Sequence, residues 1–441
     1  MALVVKTIIA LLLTLAPYSL ADVVLPKIIS DHMILQSGVE VTLWGTADKG
    51  EQVTVELAGQ RQKATTDAEG NWHAQLAPLK ASSKAQQLTV AGKNTIVIDD
   101  VLVGEAWLAS GQSNMATGIR QSPGDERAVY QAQKDNNRVR AFVNDRWVLC
   151  SEQVMSSSAV AFFFSLKLEQ ELDVPVGYII IAQNGSRIEP FIPAKEHKAA
   201  GIERKGSHIH NARVVPVTPY AIKGVIWYQG ESNRGSKDYF ESIKALSDGW
   251  SREFRRPAIP LHMVQVAPFD YSRKGIPSSL LCETIWAAQY RAAKEVPGVS
   301  VISIHDTNIN VKKIHPRHKQ PVGERLAAMA LKRQYGKDVV TSGPVGSGAT
   351  HNGNKVLVSF SGVDQGLTTK DGKAPTCFEL SSDGKEFLPA TATLEGKQVS
   401  VHSDKISAPK FVRMGWFDTA IPNLRDKNGW PVPVFPACEV K

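Results

Sequence analysis

Residues 101–115 read VLVGEAWLASGQSNM, an apolar run that leads into a turn of small and polar residues. A nearly continuous apolar run is typical of a strand buried on both faces of a parallel sheet. Gly111 permits a tight turn or a positive φ, so a helix is expected to begin near Ser113. The stretch therefore predicts a buried strand that delivers a serine to the carboxyl edge of a sheet.

Strands and helices alternate along the chain that follows this stretch. Apolar strands are predicted at 101–109, 176–182, 225–228, 261–266 and 299–304, and helices at 162–172, 239–254, 282–294 and 323–335. This alternation indicates a parallel α/β sheet that is covered on both faces. On either side of this region the pattern changes to short strands separated by turns, which favours two β modules.

The chain is accordingly divided into four parts. They are a signal peptide (1–21), an N-terminal β-sandwich module (22–98), an α/β hydrolase domain (99–336) and a C-terminal β module (337–441). The first part has one lysine before its apolar core and ends in a small-x-small site for signal peptidase. A membrane anchor is the competing interpretation, but the core of about ten residues is half the length that spans a bilayer. We expect a secreted or periplasmic protein with no membrane attachment after cleavage.

Composition and charge exclude several classes of protein. Of the 441 residues, 43% are hydrophobic and 21% are charged, which is globular usage and argues against a disordered or fibrous chain. The net charge is +8, but the cations are scattered, and the densest run (312–319) also holds two histidines and a proline. A solvated basic surface is therefore favoured over a nucleic-acid site, and no nucleic-acid partner is expected.

The four cysteines lie at positions 150, 282, 377 and 438 and show no spacing typical of metal ligands. Neither a metal nor an organic cofactor is expected. In an exported protein these cysteines allow three full disulfide pairings, of which Cys377 with Cys438 is preferred because both lie in the C-terminal part. The sequence leaves the pairing and the oligomeric state open.

Ser113 on its own fits two roles, because serine is also a common helix cap. Three further strand ends favour the catalytic role: residues 183–187 (QNGSR) offer backbone N–H groups, residues 227–233 (WYQGESN) offer amides, and residues 314–319 (IHPRHK) supply a histidine. A serine, a turn glycine, an amide and a late histidine are the groups that acyl transfer requires.

These motifs resemble those of the sialate O-acetylesterase family, carbohydrate acetylesterases of the SGNH (GDSL-like) hydrolase superfamily. The matching segments include residues 31–36 (DHMILQ), 111–115 (GQSNM), 185–190 (GSRIEP), 226–233 (IWYQGESN), 314–316 (IHP) and 323–327 (GERLA). The resemblance implies a flavodoxin-like parallel sheet flanked by β-sandwich-like modules. It also implies an exported esterase that hydrolyses O-acetyl esters on a sugar or glycan through a serine acetyl-enzyme. Sialic acid is the namesake substrate, and other acetylated glycans remain open.

By this resemblance Ser113 is the nucleophile and His315 the general base. The N–H groups of Ser113 and Gly185 would hold the oxyanion, together with the side-chain amide of Gln229 or of Asn233. The resemblance leaves open which of the two amides does so.

Four residues are candidates for substrate binding: Arg187, Glu189, Asn211 and Glu231. Arg187 and Glu189 fit binding of a hydroxyl or carboxylate as well as they fit an ordinary surface ion pair. His208 and His210 would share one face of a strand, where they would line the sugar pocket rather than bind a metal.

The chain departs from the family at the acid of the catalytic triad. The family usually carries an aspartate two residues before the histidine, where this chain has Lys313, and a lysine there disfavours the imidazolium. Asp306 is the nearest replacement in sequence, and a serine–histidine dyad supported by a backbone carbonyl is another solution. Two rival functions follow: a catalytically weakened glycan-binding homologue, and a purely structural surface protein in which Ser113 is buried away from His315.

Overall fold

The computed structural model describes residues 22–150, 152–272, 279–308 and 310–441. The predicted signal peptide, residues 1–21, lies outside the described residues. Within them, no helix is long and apolar enough to cross a membrane.

The N-terminal part consists mainly of antiparallel β structure. Its strands are β1 (Ile34–Gln36), β2 (Val41–Thr46), β3 (Gln52–Leu57), β4 (Gln60–Thr65), β5 (Asn71–Leu76) and β6 (Ser82–Ala91). β2 pairs with β5, and β3 lies between β4 and β6. Val53, Val55 and Leu57 of β3 are buried and alternate with more exposed residues, because successive side chains of a strand point to opposite faces.

The next strand, β7 (Thr95–Gly111), joins this part to the rest of the molecule. Its first residues pair with β6, and its later residues run parallel to strands of the α/β part. The proposed boundary between residues 98 and 99 therefore falls within one continuous strand.

Helices and strands alternate after β7. The elements are α1 (Ser113–Ala116), α2 (Gly124–Ala132), β8 (Val139–Val143), β9 (Arg146–Val148), α3 (Glu152–Met155), α4 (Ala159–Leu172), β10 (Val176–Ala182), α5 (Ala194–Ala199), β11 (Gly224–Tyr228), α6 (Tyr239–Glu253), β12 (Leu261–Val264), α7 (Ala287–Glu295), β13 (Val299–Ile302) and α8 (Gln320–Tyr335). The central strand order is β13-β12-β11-β7-β10-β8-β9, and only the β8–β9 pair is antiparallel. The predicted parallel α/β sheet is confirmed.

Both faces of this sheet are buried, as the apolar runs predict. Along β7, Ala106 and Leu108 belong to one hydrophobic core, whereas Trp107 and Ala109 belong to another on the opposite face. α4 and α8 pack together on the Trp107 side, where the Trp107 and Phe164 rings meet edge to face at 5.0 Å. Since the sheet is parallel, the carboxyl ends of β7, β10, β11 and β13 lie at one edge.

The C-terminal part returns to antiparallel sheets. Its strands are β14 (Val345–Asn352), β15 (Lys355–Ser361), β16 (Leu367–Thr369), β17 (Phe378–Ser381), β18 (Leu388–Pro389), β19 (Thr391–Glu395), β20 (Gln398–His402), β21 (Phe411–Met414), β22 (Leu424–Asp426) and β23 (Phe435–Glu439). All four cysteines are free, so the preferred pairing of Cys377 with Cys438 is wrong. Cys438 lies on β23 and Cys377 directly precedes β17, and burial raises the pKa of the Cys377 thiol.

Candidate active site

The turn that presents Ser113 depends on Gly111. Gly111 has a φ of 137°, and a Cβ there would lie 2.2 Å from the carbonyl oxygen of Tyr228 on the neighbouring strand β11. The N–H of Gln112 donates to that same oxygen at 3.0 Å, which locks the end of β7 against β11. Any larger side chain at position 111 would push the two strands apart, so the close approach that places Ser113 requires glycine.

Ser113 and His315 meet above this turn. Nε2 of His315 lies 2.8 Å from Oγ of Ser113, within hydrogen-bond distance, although the two residues are 202 positions apart in sequence. His315 comes from the long loop between β13 and α8. Burial lowers the pKa of His315 below its ordinary value, and the nearby positive charge of Lys319 lowers it further. The imidazole is thus held in the neutral form that a general base needs.

The structure corrects the expectation that Asp306 completes a triad. Both carboxylate oxygens of Asp306 accept hydrogen bonds of 2.7 Å from the guanidinium of Arg325 on α8. Burial tends to raise the pKa of Asp306, but the hydrogen bonds and charge of Arg325 outweigh it and hold the pKa below the ordinary value. In the described part of the chain no carboxylate is hydrogen-bonded to His315. The bidentate pair with Arg325 explains why Asp306 does not turn toward the histidine.

The backbone N–H groups of Ser113 and Gly185 are candidates for binding an oxyanion. Gly185 follows β10 and has a φ of 67°, and the hydroxyl of Ser232 donates to its carbonyl oxygen at 3.0 Å. Within the described ranges, the N–H groups of Ser113 and Gly185 donate to no other protein group. This arrangement keeps both donors available for an oxyanion.

The side-chain amides expected at the oxyanion are used elsewhere, which corrects that expectation. The Gln229 amide nitrogen donates to Asn233 at 2.8 Å, and its oxygen accepts from the hydroxyl of Tyr239 at 2.9 Å. Asn233 donates to both oxygens of Glu189 and accepts from the N–H of Ile188. Both amides are fully buried, so they brace the strand ends instead of facing a substrate.

The Gln112 side chain was not singled out by the sequence, yet it orders the same edge. Its oxygen accepts from the amide of Gln229 at 3.2 Å and from the N–H of Ser232 at 3.3 Å. These bonds hold the turn after β11 against the turn of Gly111, Gln112 and Ser113. A glutamine beside Ser113 gives no signal of this role in sequence, because only the tertiary fold brings the β11 turn within its reach.

Arg187 and Glu189 form a partly buried pair rather than a surface ion pair. Nη2 of Arg187 lies 2.9 Å from Oε1 of Glu189, and the Glu189 side chain is only 1% exposed. The Glu189 side chain is therefore too buried to contact a substrate, which corrects the expectation that it binds one. Arg187 remains on the wall of an open cavity of about 720 Å³, which Arg204, Arg234 and Lys237 also line.

The other two substrate candidates differ in accessibility. Glu231 is buried, and its Oε1 accepts from the Asn114 amide at 2.6 Å. It therefore supports the turn that carries Ser113 and does not face a substrate. Asn211 is exposed and contacts His210 at 3.0 Å. Residues 208–214 are helical, so His208 and His210 do not share a strand face. The described residues contain no cluster of three or more potential metal ligands.

Comparisons with known proteins agree with this architecture. The model of a carbohydrate esterase family, the sialic acid-specific acetylesterases, matches residues 103–332, which is more than half of the chain. The sialate O-acetylesterase of Homo sapiens is 28% identical over 436 residues, with 82% of this chain and 81% of the relative covered. The sialate O-acetylesterase of Mus musculus is 25% identical over 410 residues, with 72% and 74% covered.

A solved structure extends the similarity to the whole described molecule. The crystal structure of a carbohydrate acetylesterase from Xanthomonas citri superimposes with a TM-score of 0.86 at 28% sequence identity, and the match covers 94% of this chain and 99% of that one. The likeness thus includes the β modules as well as the α/β part. The chain belongs to the family of sialic acid-specific acetylesterases and is a carbohydrate esterase.

Proposed function

We propose that the chain is an exported carbohydrate O-acetylesterase in which Ser113 is the nucleophile and His315 the general base. The observation that carries the proposal is the 2.8 Å contact between Oγ of Ser113 and Nε2 of His315. The free N–H groups of Ser113 and Gly185 lie at the same edge of the sheet and support an oxyanion hole. A nucleophile, a base and two oxyanion donors suffice for hydrolysis of an ester.

In the first half of the reaction, Oγ of Ser113 attacks the carbonyl carbon of the acetyl group while Nε2 of His315 takes the hydroxyl proton. The carbonyl oxygen becomes an oxyanion held by the N–H groups of Ser113 and Gly185. The imidazolium then gives its proton to the departing sugar oxygen as the ester bond breaks. The sugar leaves with a free hydroxyl, and the acetyl group stays on Ser113.

In the second half, His315 takes a proton from a water molecule, and the resulting nucleophile attacks the acetyl carbonyl. The second oxyanion collapses, the proton returns from His315 to Oγ of Ser113, and acetic acid leaves and loses its remaining proton to solvent. His315 acts here without a carboxylate partner among the described residues, so the fold must hold the imidazole by other contacts. In serine proteases loss of the triad acid costs about four orders of magnitude in rate, and the remaining groups still catalyse.

The substrate proposed is an O-acetyl ester on a sugar or glycan. The relatives that match most of the chain are named as sialate O-acetylesterases and a carbohydrate acetylesterase, which supports this class. The proposal leaves open which acetylated hydroxyl is cleaved.

The first prediction is that hydrolysis of p-nitrophenyl acetate depends on Ser113. Ser113→Ala removes the attacking atom, so kcat is expected to fall by at least about three orders of magnitude. KM and the melting temperature should stay near those of the unchanged protein. The matched control is Ser83→Ala, which removes an exposed hydroxyl from β6 in the N-terminal part of the chain. Turnover that survives in Ser113→Ala would refute the nucleophile assignment.

The second candidate is a catalytically weakened glycan-binding homologue, and one observation favours it. Asp306 is bound to Arg325, and position 313, where the family usually has the acid, holds an exposed lysine. This candidate predicts that the scaffold binds acetylated glycans but turns them over slowly.

Lys313→Asp distinguishes the two candidates and is the second prediction. A carboxylate near the imidazole stabilises the imidazolium, so kcat for p-nitrophenyl acetate should rise by about tenfold or more. If the unchanged protein shows no turnover and Lys313→Asp gains it, the binding function is favoured. Substantial turnover in the unchanged protein, lost in Ser113→Ala, favours the esterase.

Export is proposed from residues 1–21 alone. A basic residue, an apolar core and a small-x-small site support a cleaved signal peptide. The check is the N-terminal sequence of the protein purified from its native compartment. A chain that begins at Asp22 fits the proposal, and a chain that retains residues 1–21 contradicts it.

A further inference from the structure

We propose that Lys319 is a positioning residue of this esterase: it fixes the Asn114 amide, which in turn holds the His315 loop against the nucleophile turn. The inference rests on the proposed roles of Ser113 and His315. Lys319 touches neither the substrate nor the reacting atoms, and it acts through Asn114.

Asn114 connects the two halves of the site. It directly follows Ser113 and is fully buried. Its amide nitrogen donates to the carbonyl oxygen of Ile314 at 3.0 Å and to Oε1 of Glu231 at 2.6 Å. Ile314 directly precedes His315, so a single side chain ties the residue after the nucleophile to the residue before the base.

Lys319 determines which way this amide points. Its Nζ donates to the Asn114 oxygen at 2.6 Å and is fully buried with it. A lysine ammonium has only donors, while a carboxylate and a carbonyl have only acceptors. The opposite orientation of the amide would put an NH₂ group against the ammonium and an oxygen against Glu231 and Ile314. Only one of the two orientations therefore pairs the ammonium, Oε1 of Glu231 and the Ile314 carbonyl oxygen at once.

The charges around Lys319 support a buried and balanced ammonium. Glu231 faces it from the turn after β11, Glu126 from α2, and His315 from its own loop, while the Tyr228 ring of β11 lies 5.4 Å from Nζ. Both carboxylate oxygens of Glu126 also accept from the backbone N–H of Lys319, at 3.0 and 3.1 Å. Glu126 thus holds the Lys319 backbone, and the negative charges of Glu231 and Glu126 favour the ammonium form of its side chain.

This placement has a consequence for His315. The Lys319 charge disfavours the imidazolium and adds to the effect of burial in lowering the His315 pKa. Burial lowers the pKa of Lys319 itself to about 7, against the opposing effect of Glu231 and then Glu126. Lys319 thus acts on His315 in two ways: through Asn114 it holds the loop that carries His315, and through its charge it lowers the His315 pKa.

The test replaces Lys319 with methionine, which keeps the length of the side chain but removes its charge and donors. In Lys319→Met the Asn114 amide is free to turn, so kcat for p-nitrophenyl acetate should fall by about tenfold or more while KM changes by less than about twofold. The His315 pKa, followed by NMR of the imidazole and assigned with His315→Gln, should rise. The control Lys312→Met removes an exposed lysine from the same loop and should change neither quantity.

Four results would overturn the proposal. They are an unchanged kcat or an unchanged His315 pKa, a rise in KM alone, or the same shifts in Lys312→Met. If Lys319→Met does not fold, because Glu231 is left buried without its cation, Lys319→Met with Glu231→Gln removes both charges. A folded double variant with the kcat and the His315 pKa of the unchanged protein then overturns the proposal, and a reduced kcat with a raised His315 pKa supports it.

The imidazole titration also separates this inference from the proposed function. If Ser113→Ala keeps its turnover, the nucleophile assignment fails by that measurement alone. The His315 pKa in Lys319→Met is measured without turnover, so an unchanged value overturns the role of Lys319 whether or not the nucleophile assignment holds.

Discussion

The proton affinity of one imidazole controls the proposed chemistry. His315 must be neutral to accept the Ser113 proton, and its pKa is lowered first by burial and then by the Lys319 charge. Since both causes disfavour the cation, the base becomes active at a lower pH than an ordinary histidine would.

The third prediction concerns this pH dependence. As pH rises through the His315 pKa the base loses its proton, so kcat/KM should rise and then level off. Because the pKa lies below the ordinary value of 6.5, the midpoint of this rise is expected below pH 6.5. The measurement is kcat/KM for p-nitrophenyl acetate across the acid range, with stability checked at each pH. A midpoint above 6.5 would mean that a negative charge, not a cation, dominates the surroundings of His315.

At the residue scale, the sequence identified the residues that meet but not those that support them. Ser113, Gly185 and His315 were found because each follows a predicted strand at the carboxyl edge of one sheet. The roles of Asn114, Lys319 and Gln112 depend on which partners the fold places within hydrogen-bond distance, and no local pattern encodes that. The amides of Gln229 and Asn233 were misassigned for the same reason: a motif gives the residue type and not the direction of its side chain.

At the scale of elements, the loop from β13 to α8 carries the base and is anchored to its own helix. Asp306 follows β13, and Arg325 lies on α8, so their bidentate pair closes the loop that holds His315. The two side chains are 11% and 12% exposed, which places the pair largely out of solvent. Removing one partner of a buried ion pair leaves the other charge buried without a partner, which lowers the free energy of unfolding.

The fourth prediction follows from this anchor. Asp306→Asn should lower the free energy of unfolding by about 3 kcal/mol, because Arg325 remains buried without its carboxylate. The Asp306 pKa is lowered in the folded state, so its stabilisation is present above the ordinary value of 3.8 and is lost as pH falls through the lowered pKa. Denaturant unfolding at neutral pH measures the effect, with exposed Asp364→Asn as the control. Unchanged stability together with a fall in kcat of several orders of magnitude would instead restore Asp306 to the catalytic triad.

The elements themselves followed well from the sequence. The strand predicted at 176–182 coincides with β10, and the helix predicted at 239–254 differs from α6 by one residue. Long apolar runs and helical periodicity carry that information. The antiparallel pair β8–β9 was missed because two short strands beside an irregular stretch produce no periodic signal. His208 and His210, expected on one strand face, lie in a helical segment.

At the scale of the whole molecule, the C-terminal part is tied into the α/β part by buried contacts. The carboxylate of Asp418 accepts from the N–H groups of Leu281 and Cys282, at 3.0 and 3.2 Å, where the helical segment before α7 begins. The Trp416 ring lies 6.1 Å from the ring of Trp286. The sequence distinguishes the α/β alternation from the strand-and-turn pattern of the β modules. It does not predict the contacts between these parts, because they join residues that are far apart in the chain.

The fifth prediction is that the chain is less stable without its C-terminal part. A chain of residues 22–336 loses Asp418 and Trp416, so buried N–H groups lose their acceptors and Trp286 becomes exposed. We expect it to be less stable than residues 22–441 or to aggregate, as measured by thermal unfolding and gel filtration. Asp418→Ala in the full chain is the milder comparison and should lower the melting temperature. Equal melting temperatures for the two chains would show that the parts are energetically independent.

The most direct test of the account is to trap the acetyl-enzyme. The protein is mixed with p-nitrophenyl acetate, the reaction is stopped with acid, and its peptides are examined by mass spectrometry. The account predicts one acetyl group on the peptide that contains Ser113, absent from Ser113→Ala and greatly reduced in His315→Gln. Steady turnover with no acetyl group on Ser113 would contradict it, because the ester would then be hydrolysed without the serine intermediate.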